Sequence, residues 1–184
     1  LYSSGQTCVL REVLLRDKPL EMIEQSPKAT VPVLLLANGE VLEQSLDIML
    51  WTLRRNDPKK WCEPDQGNLD DMLSLIAECD GDFKENLDRY KYAPRYEDAD
   101  PLLHRAAGEI FLGKLNDRLA DQIYLFGVKP ALADYAIAPF IRQFANTDRD
   151  WFDAAPYPNL QHWLEAILTA EPFTAVMTKF PVWQ

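Results

Sequence analysis

The sequence has few of the residues that build disulfide networks or metal centres. Its 184 residues include three cysteines and two histidines. The cysteines, Cys8, Cys62 and Cys79, form no Cys-x-x-Cys pair, and their odd number excludes complete pairing. The histidines, His104 and His162, are far apart in the sequence. We therefore expect reduced thiols, a cytoplasmic location and no metal site.

Long apolar runs and excess positive charge are also missing. No apolar run approaches the roughly 20 residues of a membrane-spanning helix, and no signal peptide is visible at the start. The chain carries 19 Lys and Arg against 29 Asp and Glu, a formal net charge of −10. Nucleic acids and anionic membranes are bound by basic patches. We therefore expect neither as a partner, and solubility is the simple explanation for the acidity.

The first part of the chain mixes strand and helix patterns, and residues 1–56 are predicted to form one α/β domain. β-branched residues with partial alternation predict a strand over Cys8–Arg16. Pro19, early in a helical pattern, favours a short helix over Lys18–Gln25. The remaining predicted elements are a hairpin of Val33–Leu36 with Val41–Leu42 and an apolar helix, Ser45–Leu53.

The second part reads as helical throughout. Residues 57–68 carry the prolines, glycine and charges of a linker. Beyond them, apolar residues recur with the period of a helix. The pattern predicts helices over residues 69–90, 101–120, 131–145, 157–168 and 172–180. We therefore predict an all-helical domain over residues 69–184.

The most informative stretch is SPKATVPVLLLANGEVLEQS, residues 26–45. Pro32 stands directly before an apolar strand, where it removes a donor from the ladder. This position suits a cis Val31–Pro32 bond that leaves the Val31 backbone N–H and C=O facing outward. Gln44 and Ser45 supply polar side chains and free amides at a helix N-terminus, which favours a carboxylate. The stretch predicts a receptor for an extended peptide-like ligand with a carboxylate, such as glutathione.

The whole pattern resembles the cytosolic glutathione transferases, of bacterial type with omega-like features. The resemblance is carried by SPKATVPVL and the Gln44-Ser45 pair in the first half, and by GVKPALADYAIAPFIRQF and YPNLQHWLEAILTAEPF in the second. It covers nearly the whole chain. It implies a two-domain α+β/α fold, in which a thioredoxin-like N-terminal domain is followed by an all-helical C-terminal domain.

The resemblance also implies which residues hold glutathione. Val31 would pair its main chain with the cysteinyl backbone of the ligand, shaped by the cis Pro32. Gln44 and Ser45 would hold the γ-glutamyl end, and Lys18 would reach the glycyl carboxylate. Each residue also has a structural interpretation: Pro32 as a turn residue, Ser45 as a helix N-cap and Lys18 as a solvated side chain.

Two further expectations concern the helical half. Asp134 resembles the family's buried aspartate, which accepts backbone amides and fixes the preceding loop, whereas the usual Ser or Thr cap is replaced by Ala131. Four aromatic residues could line an acceptor pocket, although aromatics at helical spacing are more often core: Tyr90, Tyr92, Tyr96 and Trp151.

The catalytic residue is not identified by the sequence. The family places it after the first strand, at the N-terminus of the first helix, where a thiol pKa is lowered. Leu1–Ser3 reads as a strand end and Cys8 as the start of the next strand. A parallel crossover between them needs roughly a dozen or more residues, yet only four, Ser4–Thr7, are available. Either residues between these strands are missing from the printed sequence, or the protein lacks the first helix. Cys8, at a strand start, is a poor substitute.

The function implied by the resemblance is that of an enzyme. It would bind glutathione as cosubstrate and conjugate it to a small electrophile, or exchange thiol and disulfide. A homodimer is implied as well. The alternative is a non-catalytic interaction or regulatory module of the same fold, against which the Gln44-Ser45 pair argues.

Overall fold

The computed structural model describes residues 1–97 and 99–183. The chain forms two compact units: residues 1–59 together with those from Glu171 onward, and Lys60–Ala170. The sequence places the last predicted helix in the second domain, whereas here it lies within the first unit. The predicted boundaries 1–56, 57–68 and 69–184 otherwise stay predictions.

A short hairpin lies in the first unit. Strands β1 (Leu34–Leu35) and β2 (Val41–Leu42) are antiparallel. Leu34 pairs with Leu42 and Leu35 with Val41. The turn closes through a 2.8 Å bond from the Leu36 N–H to the Glu40 carbonyl, and Gly39 takes a positive φ of 86° within it. The hairpin lies where the sequence predicts it, with the second strand at its predicted bounds and a shorter first strand.

The α-helices described in the first unit are α1 (Leu20–Gln25), α2 (Ser45–Arg55) and α9 (Glu171–Val176). Pro19 is the N-cap of α1 and not a helical residue, as its ring and fixed φ permit. Helix α2 starts at the predicted residue and continues past Leu53, because Arg54 and Arg55 suit a helix C-terminus.

The strand predicted over Cys8–Arg16 is wrong. Sheet pairing in this segment consists of isolated bridges, Glu12 with Val182 and Leu14 with Asp17. Val9 and Leu10 are mostly exposed to solvent. β-propensity needs a neighbouring strand and a buried face to take effect, and the segment has neither over its length.

The strand end predicted at Leu1–Ser3 is also wrong. Tyr2–Ser4 forms one turn of 3-10 helix, closed by Gly5 in the left-handed conformation. Ser4 is buried, and its hydroxyl lies 2.6 Å from the hydroxyl of Thr52 on α2. The argument for a missing crossover helix required strands on both sides of it, so it loses its basis.

The second unit is built from helices, some of which begin at a side-chain cap. They are α3 (Leu69–Glu78), α4 (Lys84–Lys91), α5 (Pro101–Arg118), α6 (Leu132–Ala145), α7 (Arg149–Ala154) and α8 (Pro158–Thr169). The Asn68 side chain accepts from the amides of Asp70 and Asp71 at the start of α3. Asp100 caps α5 in the same way.

The helix predicted over residues 69–90 is interrupted. A π-type turn, Cys79–Phe83, joins α3 to α4, and Gly81 within it has non-helical angles of φ −86° and ψ −116°. Glycine reaches such a conformation at the lowest steric cost. Cys79 and Phe83 remain buried, so the apolar face continues across the interruption.

Close packing around Phe144 forms the centre of the second unit. Its ring centroid lies 5.4 Å from that of Phe83 and 5.0 Å from that of Tyr90. A Cβ at Gly108 on α5 would stand 2.6 Å from the Phe144 ring. Glycine at position 108 therefore lets α5 approach the aromatic side chain of α6.

Asp134 has the folding role expected of it. It is fully buried, and its carboxylate accepts from the Leu125 N–H at 2.9 Å, the Ala131 N–H at 2.8 Å and the Trp163 indole N–H at 2.7 Å. Burial raises the pKa of Asp134, and these donors act in the opposite direction. The loop before α6 is thereby tied to α6 and α8.

Candidate functional site

A large, mainly apolar cavity lies within the first unit. Its volume is about 1260 Å³. The residues that matter for the argument below are among those lining it: Cys8, Val31, Pro32, Ser45, Trp51 and Trp183. Three residues that the sequence assigns to a glutathione site, Val31, Pro32 and Ser45, are therefore brought to one cavity.

Val31 lines the cavity and is partly exposed to solvent. The Val31–Pro32 peptide bond is cis, and Val31 is 46% exposed. Within the described residues, the Val31 N–H and C=O make no hydrogen bond. An extended ligand could therefore pair with both groups as an added strand.

The N-terminus of α2 lies at the same cavity. Gln44 holds the N-cap position with extended backbone, and its side chain makes no capping bond. The N-cap interpretation of Ser45 is therefore wrong, since Ser45 is the first residue of the helix. The first intrahelical bond runs from the Ile48 N–H to the Gln44 carbonyl, at 3.1 Å. The amides before Ile48 are thus free of intrahelical partners and favour an anion.

Gln44 and Lys18 are placed differently from the other three predicted residues. Among the described residues, neither belongs to the lining of the cavity. Gln44 is exposed beside Ser45, and Lys18 is half-buried, two residues before α1 begins. Both can approach a ligand only by extending their side chains from the edge of the site.

The three cysteines differ in their surroundings. Cys8 is exposed and lines the cavity, but it lies in the irregular segment. Cys62 is half-buried. Burial, together with the charges of Asp80 and Glu78, raises the pKa of the Cys79 thiol far above its usual range, so this thiol cannot supply a thiolate at neutral pH.

The aromatic residues proposed for an acceptor pocket belong to the second unit. Tyr90 is buried against Phe144, and Trp151 packs on the same ring at 6.1 Å. Tyr92 and Tyr96 lie under the guanidinium groups of Arg95 and Arg89. The core interpretation describes Tyr90 and Trp151 better than the pocket interpretation.

The structure adds one contact that the sequence does not signal. Ser26 is fully buried and donates its hydroxyl hydrogen to Glu43 Oε1. Lys28 Nζ lies 3.7 Å from Glu43 Oε2. Glu43 directly precedes Gln44, whereas Ser26 is the C-cap of α1 and begins the loop that follows it. No local pattern links two residues whose proximity depends on the tertiary fold.

Comparison with known proteins decides the family. Residues 1–61 match the glutathione S-transferase N-terminal domain, and residues 93–166 match the glutathione S-transferase C-terminal domain. The chain belongs to the glutathione S-transferase family. The predicted family and the predicted fold class, a thioredoxin-like domain followed by a helical domain, are thereby confirmed.

Solved glutathione S-transferases share the fold at low sequence identity. The ternary complex of the bacterial enzyme BphK is 17% identical, with a TM-score of 0.80 over 96% of this chain and 88% of that one. The beta-class enzyme of Sphingomonas chungbukensis is 22% identical, with a TM-score of 0.73 over 95% and 87%. The glutathione S-transferase of Methylobacterium radiotolerans, solved with glutathione sulfonate, is 17% identical, with a TM-score of 0.71 over 93% of this chain and 82% of that one.

No curated protein sequence matches the chain significantly. Within the described residues, no group of three or more His, Cys, Asp or Glu side chains could hold a metal ion. No described helix is both long enough and apolar enough to cross a bilayer.

Proposed function

We propose that this chain binds glutathione and uses it as a cosubstrate. The observation that carries the proposal is that Val31, whose N–H and C=O have no hydrogen-bond partner among the described residues, lines the same cavity as Ser45 at the start of α2. Glutathione is an extended tripeptide with a carboxylate at each end, so it matches both features. The solved relative from Methylobacterium radiotolerans holds glutathione sulfonate, which supports the proposal by family likeness.

Each predicted residue has a role in this proposal. Val31 pairs with the cysteinyl backbone, and Pro32 turns the chain so that the pairing groups face the cavity. The amides at the start of α2 and the Ser45 hydroxyl hold the γ-glutamyl carboxylate. Gln44 and Lys18 contact the ligand from the edge, at its γ-glutamyl and glycyl ends.

The proposed reaction is conjugation or thiol–disulfide exchange. In conjugation, the glutathione sulfur forms a bond to a small electrophile, the leaving group departs with its electron pair, and the thiol proton passes to solvent. In exchange, the sulfur attacks a small disulfide and releases a thiolate. The residue that stabilises the glutathione thiolate is not assigned. A homodimer and a cytoplasmic location belong to the same proposal, supported by the family and by the sparse cysteines.

Calorimetric titration with reduced glutathione tests the proposal. We expect Ser45→Ala to weaken binding about tenfold, since a hydrogen bond to a charged group contributes about 1.5–3 kcal/mol. The matched control is Ser74→Ala, since Ser74 is an exposed residue of α3 in the other unit. This variant should bind glutathione like the wild type. Cys8→Ala should also bind normally, because no role in holding glutathione is assigned to its thiol.

The outcomes separate the candidate functions. Absence of both binding heat and a thermal shift in the wild type would overturn the proposal. Glutathione binding without turnover of a chloronitrobenzene electrophile or a low-molecular-weight disulfide would support the non-catalytic module instead. Equal affinities of wild type and Ser45→Ala would remove Ser45 from the site.

A further inference from the structure

Glu43 connects the two sides of the proposed glutathione site. One side is the loop from Ser26 to Val31, and the other is the corner where Gln44 and Ser45 begin α2. Glu43 Oε1 accepts a hydrogen bond from the Ser26 hydroxyl. Glu43 Oε2 lies 3.7 Å from Lys28 Nζ. Both contacts reach back from the α2 side to the Val31 side.

The hairpin ladder does not provide this connection. Its last pair toward the site is Leu34 with Leu42. If the register continued, Pro32 would stand opposite Gln44, but Pro32 has no N–H to donate. The described backbone hydrogen bonds of the hairpin do not extend to Val31. The Ser26–Glu43 hydrogen bond joins the two chain segments beyond the end of the ladder.

Ser26 is a firm attachment point. Its N–H bonds to the Met22 carbonyl at 2.9 Å, which ends α1, and its carbonyl accepts from the Ala29 N–H at 2.8 Å. With the hydroxyl bonded to Glu43, every polar group of this fully buried residue has a partner. The loop that leads to Val31 therefore starts from a fixed position.

The two contacts of Glu43 differ in strength. Ser26 is inaccessible to solvent, and a hydrogen bond from a buried hydroxyl to a carboxylate is strengthened by charge and by low local polarity. The Lys28 side chain is 62% exposed, and exposed ion pairs contribute little. The hydroxyl bond, and not the ion pair, is the part of the contact that can hold the loop.

We infer that Glu43 is a positioning residue for glutathione binding. By holding Ser26, it fixes the spacing between the Val31 main chain and the N-terminus of α2, so that one extended ligand reaches both. Glu43 touches the protein and not the ligand. This inference rests on the proposed function.

A double-mutant cycle on glutathione affinity tests it. The variants are Ser26→Ala, Glu43→Ala and the pair combined, each titrated at a temperature well below its unfolding midpoint. We expect each single variant to raise the Kd about tenfold. The Kd of the double variant should not exceed the higher of the two single-variant Kd values, because both substitutions remove the same hydrogen bond.

Two conservative variants separate positioning from folding. Glu43→Gln keeps a carbonyl oxygen for the Ser26 hydroxyl and should bind within about threefold of the wild type. Lys28→Met loses the exposed ion pair and should bind like the wild type. If Glu43→Ala does not fold, Glu43→Met fills the same volume without an acceptor and takes its place.

The result that would overturn the inference is specific. Wild-type affinity in Ser26→Ala and Glu43→Ala, or penalties that add in the double variant, would show that the bond does not position the site. Loss of affinity in Lys28→Met equal to that in Glu43→Ala would assign the effect to charge. If the wild type itself fails to bind glutathione, the proposed function fails and this inference falls with it.

Discussion

At the scale of single residues, Tyr157 is a tyrosine whose ionisation is coupled to folding. Its hydroxyl donates to Glu109 Oε2 on α5, at 3.0 Å. Burial, this hydrogen bond and the negative charge of Glu109 raise the pKa of Tyr157 to about 12. An unfolded tyrosine ionises near pH 10. Between these values the unfolded chain loses a proton that the folded chain keeps, so stability falls as the pH rises.

We expect Tyr157→Phe to separate this effect from general alkaline unfolding. At pH 8 the variant should be less stable, by up to about 1 kcal/mol for one lost hydrogen bond. From pH 10 to 12 the difference from the wild type should shrink, because the wild type loses the Tyr157 contribution and the variant has none. Urea unfolding curves, recorded by circular dichroism at each pH, measure the difference in the free energy of unfolding between the two proteins.

The exposed Tyr96 provides the control for this prediction. Tyr96→Phe should follow the wild type over the same pH range. A stability difference between wild type and Tyr157→Phe that stays constant up to pH 12 would contradict the assignment.

Residue roles differ in how far the sequence reveals them. Asp134 could be predicted, because its position near the start of α6 follows a family pattern and its partners include the local Ala131 amide. The place of Val31 at the cavity could be predicted, because Pro32 marks the cis turn beside it in the sequence. Glu43 could not, since its partner Ser26 lies across the hairpin, and ordinary Ser and Glu side chains carry no signal of that contact.

At the scale of elements, the start of α6 has an unfilled capping position. Ala131 is the N-cap, with extended backbone angles of φ −123° and ψ −178°, and it has no side-chain acceptor. The Asp134 N–H bonds instead to the Ala131 carbonyl, at 3.1 Å. A serine hydroxyl at position 131 could accept from an amide of the first turn.

We expect Ala131→Ser to stabilise the protein by about 1 kcal/mol, the usual value of a helix N-cap. Thermal unfolding of the wild type and the variant measures the gain. Ala77→Ser, at an exposed position within α3, controls for the substitution itself and should be slightly destabilising. No gain in Ala131→Ser would mean that Asp134 already satisfies this helix start.

Helices could be predicted where apolar residues recur with the helical period over several turns. Helices α5, α6 and α8 lie close to their predicted bounds, since each buries one continuous face. The six-residue α7 was missed because it is too short to show a period. The interruption at Gly81 was missed because the apolar spacing continues through it. The strand over Cys8–Arg16 was predicted wrongly because composition cannot show whether a partner strand exists.

At the scale of the whole molecule, the two compact units differ in their cores. The described large apolar residues that are buried in the first unit are Ile48 and Leu53, both on α2. The second unit buries many large side chains, among them Phe111, Phe144 and Trp163. Local stability follows the density of buried apolar contacts, so we expect the units to open at different free energies.

Hydrogen exchange should show this difference directly. We expect amides in the centres of α5 and α6 to exchange slowest, and those of α1 and the hairpin to exchange much faster under the same conditions. Mass spectrometry of peptic fragments resolves the segments, with an unfolded sample as the reference for complete exchange. Hairpin amides that are protected as strongly as those of α6 would contradict the prediction.

The family and the general architecture were accessible from sequence because two motif groups stand in the family's order along the chain. The assignment of residues from Glu171 onward to the first unit was not, since it depends on contacts distant in sequence. Tyr2 donates to Glu171, and the Glu12 carbonyl accepts from the Trp183 N–H at 2.8 Å. Helical periodicity alone cannot show which core a terminal helix joins.

The placement of tryptophan gives the protein an optical readout of its own. Trp51 and Trp183 line the cavity, and each has a guanidinium over its ring: Arg55 at 4.9 Å and Arg11 at 4.3 Å. In the other unit, Trp163 is shielded from water and Trp61 stacks on Tyr135. Emission from the first pair responds to what enters the cavity, whereas emission from the second reports the packing of the helices, so intrinsic fluorescence can follow occupancy and unfolding in one sample.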